Sequence, residues 1–382
     1  MGLFIKKKNI IFCTTEYTSS KEFGGLAIFL HKFLKVLKKD FTIHLVVSSD
    51  NNKFQNLDGI NIYNVKTNNL FYKILNKYFV TFFFILQSRL INKKVNELID
   101  KLKFVEFVHF SNYQCIGLLY NNKFPTVTRL SSLETLWNSY SFFSLTKLLE
   151  KYTLSKTSII LSPSNFLIDE LKKKYKLKAY FLPPLIEKIK NFKNKTKKKI
   201  IITFGSISPG KGSLSIEKTI DEILSINKDI YYYWIGNVDK RFYSSNFFFE
   251  NKLKEKTKFR NRIKIINKLS RKKLFNFINK SKIIILPSLR DNSPNACIEA
   301  LSMKKIIIAR KNSGYNDLIK NNYNGFLFNK KNDFEIPILV SKILSLSKRR
   351  KNILKNNINN SNNKFSPKKV VSKYKNYIKN IT

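Results

Sequence analysis

The sequence predicts an α/β protein made of two doubly wound domains, each a mostly parallel sheet covered by helices on both faces. Three observations carry this. Short β-branched and aromatic runs alternate with longer amphipathic stretches, the rhythm stops at a Lys/Asn-rich run and then restarts, and a glycine-rich turn joins the first strand of the second half to a helix. At 382 residues the chain is long enough for two domains with a core each. Hydrophobic residues make up 43% and aromatics 14%, too many for a disordered chain.

In the first half, strands are expected at Asn9 to Phe12, Thr42 to Val47, Ile60 to Val65, Phe104 to Phe110, Thr126 to Leu130 and Ser158 to Leu161. The most apolar stretch, Tyr78 to Leu86, runs into Gln87, Ser88 and Arg89 and falls short of the roughly 20 residues a spanning helix needs. It reads as a buried helix, with an interfacial membrane helix as the alternative. After Pro183 and Pro184, the polar run Lys188 to Lys198 reads as a linker. Strands resume at Lys199 to Phe204, Ile230 to Ile235, Arg262 to Ile266, Lys282 to Leu286 and Lys305 to Ala309, with helices at Ser213 to Ile226 and Arg271 to Asn279 between them. Apolar Val370, Val371, Tyr374, Tyr377 and Ile378 recur at helical spacing after Ser366-Pro367, which predicts a terminal helix seeking a groove. The expected organisation is therefore a first domain over 1–187, a linker over 188–198, a second domain over 199–365 and a terminal helix over 366–382. Ligands of such sheets bind outside the carboxyl ends of the strands, so the site is expected in the cleft between the domains.

The charge is far from balanced: 72 Lys and Arg against 25 Asp and Glu give a net +47. Lys, Asn, Ile and Phe dominate together from end to end, so the excess reads as a solvated basic surface more than as a nucleic-acid face. Attraction to anionic lipid follows in either case, at about 1 kcal/mol per basic residue near the surface. Cys13, Cys115 and Cys297 have no paired spacing, which argues against a disulfide framework or a cysteine metal site and fits a reducing cytoplasm. No apolar leader segment with a small-residue cleavage site is legible near the first residues.

The segment Gly205-Ser206-Ile207-Ser208-Pro209-Gly210-Lys211-Gly212 follows a strand and precedes a helix. Free backbone N–H groups at a helix start, with the charge of Lys211 beside them, suit phosphate. The segment comes within one residue of the P-loop pattern, but Gly212 stands where a Mg²⁺-binding hydroxyl is needed and Ser213 is displaced by one. A nucleotide hydrolase therefore ranks behind other phosphate-binding readings. A second block, Pro287 to Leu301, places Asp291 on a loop and Glu299 one turn into a helix expected to start near Asn295. A carboxylate is a bidentate acceptor for paired ribose or hexose hydroxyls.

From Ile200 to Phe328 these motifs resemble the donor-binding domain of the family-4 retaining glycosyltransferases of the GT-B fold, the glycosyl transferases group 1. The likeness rests on the glycine-plus-Lys-Gly loop, the Pro-Ser block with its paired acids, and Gly314 to Asp317 before Gly325-Phe326-Leu327. Phe23-Gly24-Gly25, Leu161 to Phe166 and the Phe365-Ser366-Pro367 helix extend it over nearly the whole chain. The resemblance implies that Gly205, Ser206, Lys211 and Gly212 hold the donor diphosphate and that Glu299 holds the ribose. It implies that Asp291 takes the transferred sugar, with Asn292, Ser293, Pro294 and Asn295 at the sugar and phosphate. Gly24 and Gly25 would let a first-domain loop approach the donor, and the terminal helix would cross back to the first domain. Such enzymes retain anomeric configuration without a metal or resident cofactor, their co-substrate being a nucleotide-diphosphate sugar.

The chain departs from the family pattern at four places: Ser206 replaces a usual Arg, Asp291 a usual Glu, Arg129-Leu130-Ser131-Ser132 a His-bearing loop, and Asp317 a usual Glu. Acceptor-side candidates are Gly24, Gly25, His109, Arg129, Ser131 and Glu134, whereas His31 and His44 read as unpartnered helix and strand positions. The expected function is transfer of a hexose-type sugar to a glycan or lipid-linked acceptor in cell-surface polysaccharide or lipopolysaccharide synthesis. The expected place is the cytoplasm, at the inner, anionic face of the plasma membrane, with no specific nucleic acid as partner. A basic nucleic-acid-binding protein is the main rival.

Overall fold

The computed structural model of the chain describes residues 7–17, 25–67, 69–137, 145–187, 189, 199–311 and 314–381. It divides into two units, one formed by residues 1–185 with 367–382, the other by residues 186–366. Most of the expected linker lies outside the described residues.

The first unit runs β1 (Lys8–Thr14), α1 (Gly25–Leu37), β2 (Phe41–Ser49), β3 (Lys53–Leu57), β4 (Ile60–Lys66), α2 (Leu70–Tyr78) and α3 (Val80–Leu102). It continues with β5 (Val108–Ser111), β6 (Thr126–Arg129), α4 (Glu134–Trp137), α5 (Leu145–Ser155), β7 (Ile159–Ser162), α6 (Asn165–Tyr175) and β8 (Tyr180–Phe181). The sheet order is β3-β4-β2-β1-β5-β6-β7-β8, and every described pairing is parallel except β3 with β4. Ile10 to Cys13 on β1 are buried because helices cover both faces, which is why that strand reads as a continuous apolar run.

The second unit contains β9 (Lys199–Phe204), α7 (Ser213–Ser225), β10 (Ile230–Ile235), α8 (Asn246–Glu255), β11 (Ile263–Ile266), α9 (Arg271–Lys280), β12 (Ser281–Leu286) and α10 (Asn295–Ser302). Then follow β13 (Ile306–Arg310), α11 (Tyr315–Leu318), β14 (Phe326–Phe328), α12 (Glu335–Ser345) and α13 (Lys348–Lys364). Its sheet is parallel in the order β11-β10-β9-β12-β13-β14. The chain leaves β9 toward β10 on one side and returns to β12 on the other. The turns after β9 and β12 thus flank the switch point at which doubly wound sheets bind ligands.

The last helix, α14 (Pro367–Ile378), belongs again to the first unit. Val370, Val371, Tyr374 and Ile378 enter its core, and Tyr374 packs edge-on to Phe33 and Phe107 while its hydroxyl meets His109 Nδ1 at 2.9 Å.

Three expectations need correction. The strand expected from Phe104 begins only at Val108, because Lys103 adopts φ 63 to close α3 and the chain turns there before joining the sheet. Strand β3 was not expected: Lys53–Leu57 has almost no apolar pattern, and only Asp58-Gly59, both at positive φ, betrays the two-residue hairpin that pairs Leu57 with Ile60. Tyr78 to Leu86 is not a buried helix throughout. It breaks at Phe79, buries Phe83 and Phe84, and leaves Tyr78, Phe79, Val80, Phe82 and Ile85 exposed.

The Tyr374 contacts set an expected cost. Tyr374→Ala should lower the stability of the first unit by about 3–5 kcal/mol, read as a shift of its urea midpoint, because a large buried ring is removed and a cavity remains. A shift below about 1 kcal/mol would show that α14 contributes little to that core.

Candidate functional site

In the second unit, the turn after β9 and the turn after β12 are joined. After Gly205 the chain forms a short 3-10 turn over Pro209–Lys211, capped by Ser208, whose Oγ accepts from the Lys211 amide at 3.4 Å. Gly212 then sits at φ +86, and a Cβ placed on it would lie 2.4 Å from the carbonyl oxygen of Pro287. Only glycine lets the first loop press against the second so closely. The Leu289 amide donates to the Gly210 carbonyl at 3.0 Å across the same seam. At the far side of the second loop, a Cβ on Gly314 would lie 2.5 Å from the Asn292 carbonyl oxygen, and the Gly314 amide donates to Asp291 O at 2.8 Å.

The join brings distant charges together. Lys211 Nζ and Asp291 Oδ2 form an ion pair at 2.8 Å, although 80 residues separate them. Ser293 and Pro294 lead into α10, which starts at Asn295 with no side-chain cap from Pro294, and the first-turn amides of a helix have no partner within it. Glu299, one turn into α10, is paired with Arg271 Nη2 at 3.2 Å. Gly205 and Ser206 are exposed, and Asn292 is half-buried on the second loop.

Sequence reasoning missed Arg310. It ends the apolar strand β13, is 2% exposed, and bonds the Pro287 carbonyl through Nε at 3.1 Å. Its other nitrogens reach Ser215 Oγ at 2.6 Å, Lys330 O at 2.7 Å and Asp333 Oδ1 at 2.8 Å, while its guanidinium lies 4.7 Å from the Phe328 ring centre. One buried cation therefore fastens α7, the Pro287 turn and the start of α12 to one point. A lone Arg closing an otherwise apolar strand was the available signal.

In the first unit, a pocket of about 420 Å³ opens at the carboxyl ends of β1, β2, β4 and β6, with Thr15, Ser48, Thr67 and Ser131 on its wall. Ser131 is the acceptor-side candidate that lines it. Its amide and hydroxyl both donate to Asn112 Oδ1, at 2.7 and 3.1 Å. Asn112 in turn donates to Glu150 Oε1 at 3.1 Å, and Glu150 Oε2 accepts from the Glu134 amide at 2.9 Å and from the Tyr175 hydroxyl at 2.7 Å. Burial pushes the Glu150 carboxyl up to about 7 against the pull of those donors. Arg129 is buried with its guanidinium 3.6 Å over the Phe29 ring, and burial lowers it to about 9. His109 stacks on Phe12 in the core, where burial first and the charge of Arg129 second lower it to about 3, so it is a neutral packing residue and does not line the pocket. Gly25 begins α1, and Gly24 lies outside the described residues. His44, read from sequence as unpartnered, bonds Tyr63 Oη and Asn9 Oδ1, each at 3.3 Å.

With this geometry in place, the comparisons with known proteins give the family of the second unit. Residues 186–360 match the glycosyl transferases group 1. The second unit is a group 1 glycosyltransferase domain. The chain is 21% identical over 345 residues to an uncharacterized glycosyltransferase of Methanocaldococcus jannaschii, covering 87% of this chain and 88% of the other. It superposes on sucrose-phosphate synthase from Thermosynechococcus elongatus with a TM-score of 0.79 at 12% identity, over 98% and 99% of the two chains. It also superposes on Anabaena HepE, solved in complex with UDP-glucose, with a TM-score of 0.68 at 12% identity, over 97% and 99%. The fold is GT-B, and the chain is a glycosyltransferase. The joined loops of the transferase are those that the family resemblance assigned to the donor.

Glu150 gives the first unit a pH signature. Its folded pKa, about 7, lies above the ordinary 4.5, so the stability it contributes is fully present below about 4.5 and lost as pH rises through about 7. Glu150→Gln should remove that slope, and the wild-type transferase should lose stability relative to the variant between about pH 5 and pH 7. Parallel melting-temperature curves over that range would show that Glu150 does not titrate there.

Proposed function

We propose that this transferase moves a hexose-type sugar from a nucleoside-diphosphate donor, held in the second unit, to a glycan or lipid-linked acceptor with retention of configuration. The observation that carries the reading is the Lys211–Asp291 pair at 2.8 Å on loops that Gly212 and Pro287 press together. The donor diphosphate exchanges for the Asp291 carboxylate at Lys211, and the freed carboxylate accepts hydroxyls of the transferred sugar. Binding and orientation are thereby coupled in one exchange. UDP-glucose on the Anabaena neighbour supports a uridine nucleotide sugar as the first donor to test.

In the proposed chemistry, the acceptor oxygen bonds to the anomeric carbon as the bond from that carbon to the diphosphate breaks. The acceptor proton passes to a diphosphate oxygen on the same face. Lys211 and the uncapped amides of α10 stabilise the negative charge gathering on the leaving group, which places the protein's share in preorganised electrostatics. With a fixed cation and helix amides at the diphosphate, the reaction has no need of a metal, and Glu299 holds the ribose hydroxyls.

The same reading places the enzyme on an anionic membrane leaflet, in the assembly of surface polysaccharide or lipopolysaccharide. Among the described residues, no helix is long and apolar enough to cross a membrane. Leu70, Phe71, Ile74, Tyr78, Phe79 and Phe82 are nevertheless exposed in one run, with Lys73, Lys77 and Arg89 exposed among and after them. Apolar tips backed by basic residues suit shallow, reversible insertion among acidic headgroups.

Two measurements test this reading. Lys211→Ala should weaken UDP binding about tenfold or more while leaving uridine binding nearly unchanged, and Glu299→Ala should abolish transfer without changing the melting temperature. Equal losses for UDP and uridine in calorimetry, or near-normal turnover in the Glu299 variant, would contradict the assignments. The chain should also sediment with anionic vesicles at low salt and release at high salt, with Phe71→Ser plus Phe82→Ser weakening the attachment. Phe83 is unsuitable for that test because it is buried. Sedimentation that ignores lipid charge would refute the membrane assignment.

A further inference from the structure

The pocket of the first unit combines three properties that together name its ligand. The first is an unsatisfied polar wall. Gln87 is 1% exposed, and its amide Nε2 donates to Ser48 Oγ at 3.3 Å, but its Oε1 meets no hydrogen-bond partner among the described residues. Thr15 Oγ1, on the same wall, is also buried without one. A buried amide oxygen and a buried hydroxyl left this way are costly unless a ligand meets them with hydrogen bonds.

The second property is charge. In a chain with 72 basic side chains, the described residues of the pocket lining include one cation, Lys73, and one carboxylate, Glu16. A phosphate or sulfate site would gather cations in fork geometry, and the described lining does not. Acceptor oxygens, hydroxyls and the aromatic faces of Tyr72, Phe83 and Tyr113 fit a neutral polyhydroxylated ring, and about 420 Å³ lies within the usual range for small-molecule sites.

The third is the wall formed by α2. Tyr72, Lys73 and Asn76 of that helix line the pocket, while Leu70, Phe71, Ile74 and Tyr78 of the same helix are exposed apolar or aromatic positions. One helix thus borders the ligand pocket and carries the residues suited to a lipid surface.

We propose that this pocket binds the uncharged sugar headgroup of a membrane-anchored glycan, with Gln87 accepting a hydrogen bond from a ring hydroxyl and α2 lying at the bilayer surface beside it. This rests on the transferase reading above and selects, within it, a neutral lipid-linked sugar as acceptor. Gln87 discriminates because a ligand lacking a hydroxyl there leaves its oxygen unpaired.

The test uses the full chain and ligand-observed NMR with hexyl glucoside, hexyl galactoside and hexyl N-acetylglucosaminide, and with glucose 6-phosphate as the charged counterpart. At least one neutral glycoside should bind and the phosphate should not. Gln87→Leu should reduce that affinity about tenfold or more, and so should Asn76→Ala, an exposed position where folding is not at stake. A second arm presents dodecyl versions of the same glycosides in anionic vesicles. Phe71→Ser with Ile74→Ser should weaken recruitment there and leave binding of the soluble hexyl glycoside unchanged. The proposal is overturned if none of the neutral glycosides binds, if glucose 6-phosphate binds best, if both pocket variants bind as wild type does, or if the α2 variant loses both arms equally. UDP calorimetry on the same samples separates the two readings: absence of UDP binding by the wild type would remove the donor reading, whatever the glycosides do.

Discussion

The second unit's site depends on the approach of the Gly212 backbone to the Pro287 carbonyl. Two loops that leave neighbouring parallel strands would ordinarily diverge over the sheet edge. Here a glycine at φ +86 removes the side chain that would hold them apart, and the Leu289 to Gly210 hydrogen bond closes the seam. Arg310 fixes the arrangement from beneath, since a guanidinium this buried is tolerable only when its donors are met and its charge is balanced. The pairing of Lys211 with Asp291 follows from that backbone geometry.

The first unit organises its polar groups differently. Glu150, Asn112 and Tyr175 form a buried network that sets the turn after β6, and that turn carries Ser131 to the pocket wall. Networks of this kind are costly if any member is left unpaired, so they impose one geometry on the loop they hold. His109, Phe12 and Tyr374 belong instead to the packing that receives α14. Little of the chain's basic excess enters either set of contacts: among the described residues one lysine lines the pocket, and the paired cations of the other site are Lys211, Arg271 and Arg310.

Much of the fold was legible because buried parallel strands cannot hide their composition. β9 and β10 fall on the expected residues, and α10 starts at Asn295 as the block of small and polar residues before it implied. What escaped was structure whose cause is not periodic. β3 is held by its Asp58-Gly59 turn more than by its own side chains. Arg310 and Glu150 take their importance from partners 16 or more residues away, which no local pattern reveals. The carboxylates Asp291 and Glu299 were visible as residues, but their cationic partners were not: the Lys211–Asp291 pair depends on the approach that Gly212 permits, and the Arg271–Glu299 pair joins two helices 28 residues apart in the chain. Likewise the stretch around Phe82 was visible as apolar, while its division into buried and exposed faces required the break at Phe79.

The central claim is that the two joined loops of the second unit form a single nucleotide-diphosphate site. Hydrogen–deuterium exchange of the full chain with and without saturating UDP tests it most directly. The account predicts slowed exchange in peptides covering 205–214 and in peptides covering 288–300, appearing together at the same UDP concentration. Protection of one loop alone, or of neither while UDP remains bound, would contradict it.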